Sequence, residues 1–306
     1  MQYYITCSIY IPPQDPPIMK ILFVNIGMHA KNMHAFMKYG NNITTTSNTN
    51  LDNFNLAEFE VVYSPRKPLH VSKYPNTRFI FGPHFSVFPN TNDMNTIRGA
   101  NVMYVHPSDW ARDVWRYSTG CQGIRIETLP FGVDTDRFNE VRPMDQRTHV
   151  FIYFKQRHPM ELKLMQQFLH QNHIKYKVFN YDEKYDENEY LKCLHLSKFG
   201  IWVGRHESQG FALEEALSCN VPLLVWNVTS MNQEHGQKYP NIKATTIPYW
   251  DDACGEHFTT ISQLSETFSK FMHKLNENAY APRKYVLENV SMHKCKERFE
   301  ELVKSM

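Results

Sequence analysis

Two glutamates, Glu207 and Glu215, flank a glycine-containing turn, Arg205-His206-Glu207-Ser208-Gln209-Gly210. The turn joins an apolar run, Phe199 to Gly204, to a helix-forming segment that opens at Phe211. A continuous apolar run of this kind reads as a buried strand of a parallel sheet, and the strand-to-helix turn then lies at the carboxyl edge, where ligands bind. Backbone N–H groups and the helix dipole favour a phosphate there, and Gly210 lets a ligand come close. Glu207 precedes the helix and Glu215 sits in its second turn. At a rise of ~1.5 Å per residue their spacing is at most ~12 Å, comparable to the reach of a nucleoside diphosphate sugar from sugar to ribose. One carboxylate can accept hydroxyls from the sugar and the other from the ribose. A plainer reading fits the same spacing: Glu214 and Glu215 are ordinary first-turn acids that complement the helix dipole.

The residues that follow narrow this choice. Glu207 through Glu215, continued by Ala216-Leu217-Ser218-Cys219-Asn220-Val221-Pro222, resembles the E-x7-E signature of the family 4 glycosyltransferases, retaining enzymes with the two-domain GT-B fold. Phe131-Gly132-Val133-Asp134 with Phe138 resembles the family's interdomain junction, with Phe131 where asparagine is common. Phe81-Gly82-Pro83-His84 and Pro107-Ser108-Asp109-Trp110 resemble first-domain segments of one subgroup, so the likeness runs over about residues 19 to 303.

The resemblance implies a nucleoside diphosphate sugar held by Glu207, Ser208, Gln209, Gly210, Phe211, Ala212 and Glu215, with Glu207 orienting the sugar and Glu215 the ribose. The family's two diphosphate-binding cations match Lys155 and Arg157 in altered order and spacing, and Arg205 is a further phosphate or sugar contact. A solvated pair of cations at a strand end is the plainer reading of Lys155 and Arg157. Gly27 stands where the family has a longer glycine loop. The expected catalytic set is Glu207, Lys155, Arg157 and His84, although His84 reads equally well as a structural loop residue. His29 reads as a polar loop residue, and His106 ranks below His84. Retention implies front-face displacement, with catalysis by positioning and by neutralising the leaving phosphate rather than by a hydrolytic carboxylate pair.

These residues need elements to hold them. Apolar runs at Ile21 to Ile26, Phe59 to Tyr63, Arg78 to Phe81, Asn101 to Val105 and Ile124 to Leu129 predict one set of strands. A second set follows at His149 to Phe154, Tyr176 to Phe179, Phe199 to Val203 and Val221 to Trp226. Helices are expected at Ser108 to Trp115, Pro159 to Gln171, Glu187 to Leu196 and Phe211 to Cys219, and the apolar stripe Met292, Cys295, Phe299, Leu302 marks one from near Ser291. The fold class is therefore α/β: two Rossmann-like doubly wound domains facing a cleft. The expected division is an extended, proline-rich tail over 1–18, an acceptor-side domain over 19–141, a donor domain over 142–285, and a terminal helix over 286–306 that crosses back. Tyr249 and Trp250, in the turn-rich segment Thr245 to Gly255, fit core caps and stacking platforms alike.

Composition limits the partners. The 306 residues carry 33 Lys+Arg against 31 Asp+Glu, a net charge of +2, too even for a nucleic-acid-binding field. The six cysteines are scattered with no zinc-ligand spacing, and the histidines share none, so neither metal nor cofactor is expected. No apolar run approaches a membrane span, and a cytoplasmic location is expected. The acceptor is open among glycan, lipid, protein and small molecule, as is the donor base. Rival functions are a GT-B epimerase or phosphorylase and a non-catalytic nucleotide-sugar or glycan-binding protein.

Overall fold

A computed structural model describes residues 18–40 and 42–306. The tail expected over 1–18 falls, apart from Ile18, outside them, as does Cys7. Two parallel sheets lie in succession along the chain. The first is built by β1 (Lys20–Val24), β2 (Asn42–Thr46), β3 (Val61–Ser64), β4 (Phe79–Phe81), β5 (Val102–His106) and β6 (Arg125–Thr128), in the spatial order β2-β1-β3-β4-β5-β6. Its helices are α1 (Ala30–Met37), α2 (Thr91–Thr96) and α3 (Asp109–Arg116). The second comprises β7 (His149–Lys155), β8 (Lys177–Asn180), β9 (Ser197–Gly204), β10 (Leu223–Trp226) and β11 (Gly255–Phe258), ordered β11-β10-β9-β7-β8. It carries α4 (Pro159–Gln171), α5 (Glu187–Leu196), α6 (Phe211–Ser218) and α7 (Leu264–Asn276), after which come α8 (Pro282–Asn289) and α9 (Met292–Lys304).

Each strand order reverses once, between β1 and β3 in the first sheet and between β7 and β9 in the second. Loops diverge at such points and leave a crevice beyond the strand ends. The inner strands are apolar throughout because helices cover both faces: β1 buries Ile21 to Val24, and β9 buries Phe199 to Gly204. Strand β2, Asn-Ile-Thr-Thr-Thr, is a half-exposed edge, so it lacks the apolar run that announces its neighbours.

Helix α9 belongs in space to the first domain. Its Cys295, Phe299, Leu302 and Val303 join Ile21, Phe23, Phe36 and Tyr63 in one buried cluster. Ser291 caps it by accepting a bond from the Lys294 N–H. Entry is tight: a Cβ on Gly132 would lie 2.2 Å from the Met292 Cα, so only glycine fits beneath the helix start. Among the described residues no helix is long and apolar enough to cross a membrane.

Candidate functional site

The two reversal points face each other across a cleft of about 900 Å³, within the size range of small-molecule sites. Its first-domain wall comes from the loops after β1, β3, β4 and β5, including Gly27, His29, Arg66, His84, His106 and Trp110. The second-domain wall is Lys155 at the end of β7, the turn Arg205 to Gly210 after β9, and the start of α6. Ser208, Gln209, Gly210, Phe211 and Ala212 all line it.

The first half of the turn is held through its backbone. The Arg205 N–H donates to the Lys155 carbonyl at 2.9 Å, and the Glu207 N–H donates to the Thr245 carbonyl at 2.9 Å. From the opposite domain, the Trp110 indole N–H donates to the Glu207 carbonyl at 2.9 Å. Gln209 is a structural tie: its amide nitrogen reaches both Glu214 oxygens, at 2.9 and 3.0 Å, while its oxygen accepts from the Phe131 N–H at 2.9 Å. Glu214 is buried beneath the helix start, and burial pushes its carboxyl well above the usual range. Gly210 begins α6 with a φ of +92°, a left-handed conformation that penalises a side chain. Gly210→Ala should therefore lower stability by about 1–2 kcal/mol; an unchanged denaturation midpoint would show that the turn relaxes freely.

Each signature glutamate is ion-paired. Lys155 Nζ lies 2.7 Å from Glu207 Oε1, with both side chains largely buried, and 4.5 Å from the centre of the Tyr181 ring. Glu215, 4% exposed, meets an ammonium from the other domain: Lys31 Nζ, at the start of α1, is 2.5 Å from Glu215 Oε1 and 3.2 Å from Glu187. Burial pushes the Glu215 carboxyl up to about 7, against the opposing pull of Lys31. Burial works against the Lys31 charge too, but Glu215 and Glu187 outweigh it and hold the ammonium above its ordinary range.

The sequence-based cation pair divides. Lys155 faces the cleft. Arg157 does not: it is 2% exposed, and its guanidinium forms a bidentate pair with Glu161 at 2.6 and 2.8 Å while donating to the Gly204 and Trp226 carbonyls. It ties together the ends of β7, β9 and β10 from behind the cleft. The expectation that Arg157 neutralises a diphosphate, or takes part in catalysis, is corrected accordingly. Arg205 does line the cleft, bonded to the His206 carbonyl at 2.7 Å and 3.5 Å from Glu234.

Burial lowers the wall histidines His29, His84, His106 and His206 below their ordinary range. Burial, then the neighbouring charge of His29, lowers His84 to about 4, and its Nε2 accepts from the Asn32 amide at 3.2 Å. His29 instead lies over Phe211, with ring centres 6.2 Å apart. Burial lowers His206 to about 4, and the edge of Trp110 packs against it. Tyr249 bonds the Pro107 carbonyl across the domains, and Trp250 packs on the second-domain core; neither lines the cleft. Among the described residues no three metal-ligating side chains converge.

Sequence reasoning missed Lys31, Glu234, Tyr153, Tyr181, Tyr185 and Tyr239, all on the cleft walls. It named the segment containing Trp110 without the bond that matters. Tyr181 carried a signal, an aromatic just past a strand end. Lys31 carried none, because its partner lies 184 positions away.

No family profile matches this chain, and no curated protein sequence matches it. Solved structures do. The N-terminal domain of Candida albicans trehalose-6-phosphate phosphatase aligns with a TM-score of 0.59 at 10% identity, covering 97% of this chain and 98% of that one. Sucrose-phosphate synthase from Thermosynechococcus elongatus aligns at 0.54 with 9% identity, covering 94% and 98%. The catalytic domain of starch synthase IV from Arabidopsis thaliana, bound to ADP and acarbose, aligns at 0.51 with 11% identity, covering 80% and 72%. At these identities the likeness speaks for the architecture alone: two Rossmann-like domains in the GT-B arrangement.

Proposed function

We propose that this chain is a retaining glycosyltransferase that moves a sugar from a nucleoside diphosphate sugar to a hydroxyl acceptor. The observation that carries the reading is the Lys155–Glu207 pair, 2.7 Å apart beside the turn that opens α6, within a cleft faced by both sheet-reversal points. A diphosphate at the helix start meets backbone N–H groups and the positive end of the dipole, with Lys155 and Arg205 close by. On this reading Glu207, on the cleft wall, accepts sugar hydroxyls, and Glu215, behind Lys31 in the second turn of α6, serves the ribose. The starch synthase fold neighbour is bound to ADP, a ligand of the same chemical class.

In the reaction the bond between the anomeric carbon and the diphosphate oxygen breaks, and a bond to the acceptor oxygen forms on the same face. The acceptor proton passes to the departing phosphate oxygen. Lys155 and the α6 N–H groups stabilise the negative charge that develops there. Cytoplasmic glycosylation of a glycan, lipid, protein or small molecule is the corresponding setting.

Thermal unfolding against UDP, GDP and ADP tests the proposal. A binder at about 100 times its Kd stabilises the fold by about 2.7 kcal/mol, a shift of several degrees. The matching nucleotide sugar should then be hydrolysed slowly, releasing the sugar with its anomeric configuration retained. No shift with any of the three overturns the donor assignment. Binding without turnover favours the rival motivated by Arg157, a nucleotide-sugar-binding protein with a single strand-end cation on the cleft.

A further inference from the structure

Resting on the nucleotide-sugar reading, one more residue can be assigned to the site. We infer that Lys31, reaching from the opposite domain, completes the nucleotide pocket by holding Glu215 as the oriented carboxylate that a ribose diol requires. Lys31 is thus a positioning residue: it acts on the ligand through Glu215.

The geometry supports this on three counts. Lys31 lines the cleft together with Tyr185, Glu187 and Ala212, and Glu215, 4% exposed, lies directly behind it. Its 2.5 Å approach to Glu215 Oε1 fixes the direction of a carboxylate that is otherwise enclosed. It is also the cation closest to Glu215, with Arg137 contributing from further off. Around Glu215 stand Glu187 and Tyr190 from α5, Tyr185 just before that helix, Glu214 and Cys219 on or beside α6, and Lys31 from α1. Most of these surroundings disfavour a negative charge; Lys31 is the principal group that favours it. A carboxylate accepts two hydroxyl bonds, whereas a protonated carboxyl gives up part of that capacity.

The arrangement also divides the pocket between domains. The acid comes from α6 and the charge that maintains it from α1, so ribose recognition is complete only when the first domain stands in the relation seen here.

The experiment uses the full chain and whichever nucleoside diphosphate it binds, with affinity measured calorimetrically from pH 6 to 9. In the wild type, ribonucleotide affinity should rise as pH passes upward through about 7, as Glu215 ionises. Lys31→Met should move that midpoint upward by a unit or more, weakening binding at pH 7 about fivefold or more, with recovery toward pH 9. Lys31→Arg should restore the wild-type profile. Glu187→Gln, which removes the competing carboxylate, should move the midpoint down. A 2′,3′-dideoxynucleoside diphosphate should bind wild type and Lys31→Met alike, since it has no diol to present. Equal losses for the ribo and dideoxy ligands, or an unmoved pH profile in Lys31→Met, would overturn the assignment. If no nucleoside diphosphate binds the wild type at all, the donor reading itself fails, and this inference fails with it.

Discussion

Glu207→Gln should lower the rate of sugar transfer about 10²- to 10³-fold, equivalent to about 2.7–4 kcal/mol of transition-state stabilisation, while nucleoside diphosphate affinity stays within a few-fold. The amide keeps the shape of the side chain but gives up the charge that fixes Lys155 at 2.7 Å and, as proposed, accepts sugar hydroxyls. On the proposed reading binding survives because the contacts to the diphosphate come from elsewhere: the start of α6, Arg205, and a Lys155 now released from its counter-ion. The expected signature is a large fall in kcat with little change in product affinity. Stability falls as well, since an ion pair with both side chains largely buried has lost one partner, and rates should be compared well below the melting temperature. A kcat within threefold of wild type would remove Glu207 from the chemistry.

Phe299→Ala should cost about 3–5 kcal/mol of folding stability. Its side chain has no solvent exposure and lies 5.5 Å from the Phe36 ring and 6.1 Å from that of Tyr63. No neighbouring element can collapse into the space, because β1, β3 and α1 already pack on one another through Phe23, Phe36 and Tyr63. Chemical denaturation followed by tryptophan fluorescence would measure the loss. A change below 1 kcal/mol would mean that α9 rests on the domain without contributing to its core. The cavity would also lie under α1, the helix that carries Lys31, so weaker ribonucleotide binding should accompany the loss of stability.

What the sequence disclosed of the site follows from how local each feature is. The Glu207 to Glu215 turn was legible because a strand, a glycine turn and a helix run consecutively through it. Arg157 misled for a definite reason. A cation just past a strand end can turn toward the crevice or back under the sheet, and the type and position of the residue do not distinguish the two. The deciding residue was Glu161, four positions on at the start of α4, a spacing at which opposite charges meet. Lys31 was beyond reach, since its meeting with Glu215 depends on how two domains face one another. In the fold, the buried strands declared themselves by their apolar runs, whereas β2 did not, being half wet. Helix α1 also escaped, for it opens at His29 without a side-chain cap and has no acid in its first turn.

The first domain draws its core from both ends of the sequence, with Phe23 and Phe36 near one and Cys295, Phe299 and Val303 near the other. This sets an order on biosynthesis. As the chain leaves the ribosome, β1 to β6 emerge first yet expose the face that α9 will cover, whereas the second sheet can assemble fully from residues already made. The domain begun first is therefore the one closed last. Until the stretch around Phe299 arrives, its uncovered apolar face is a target for chaperones, and a message truncated anywhere upstream of α9 yields a first domain that cannot mature.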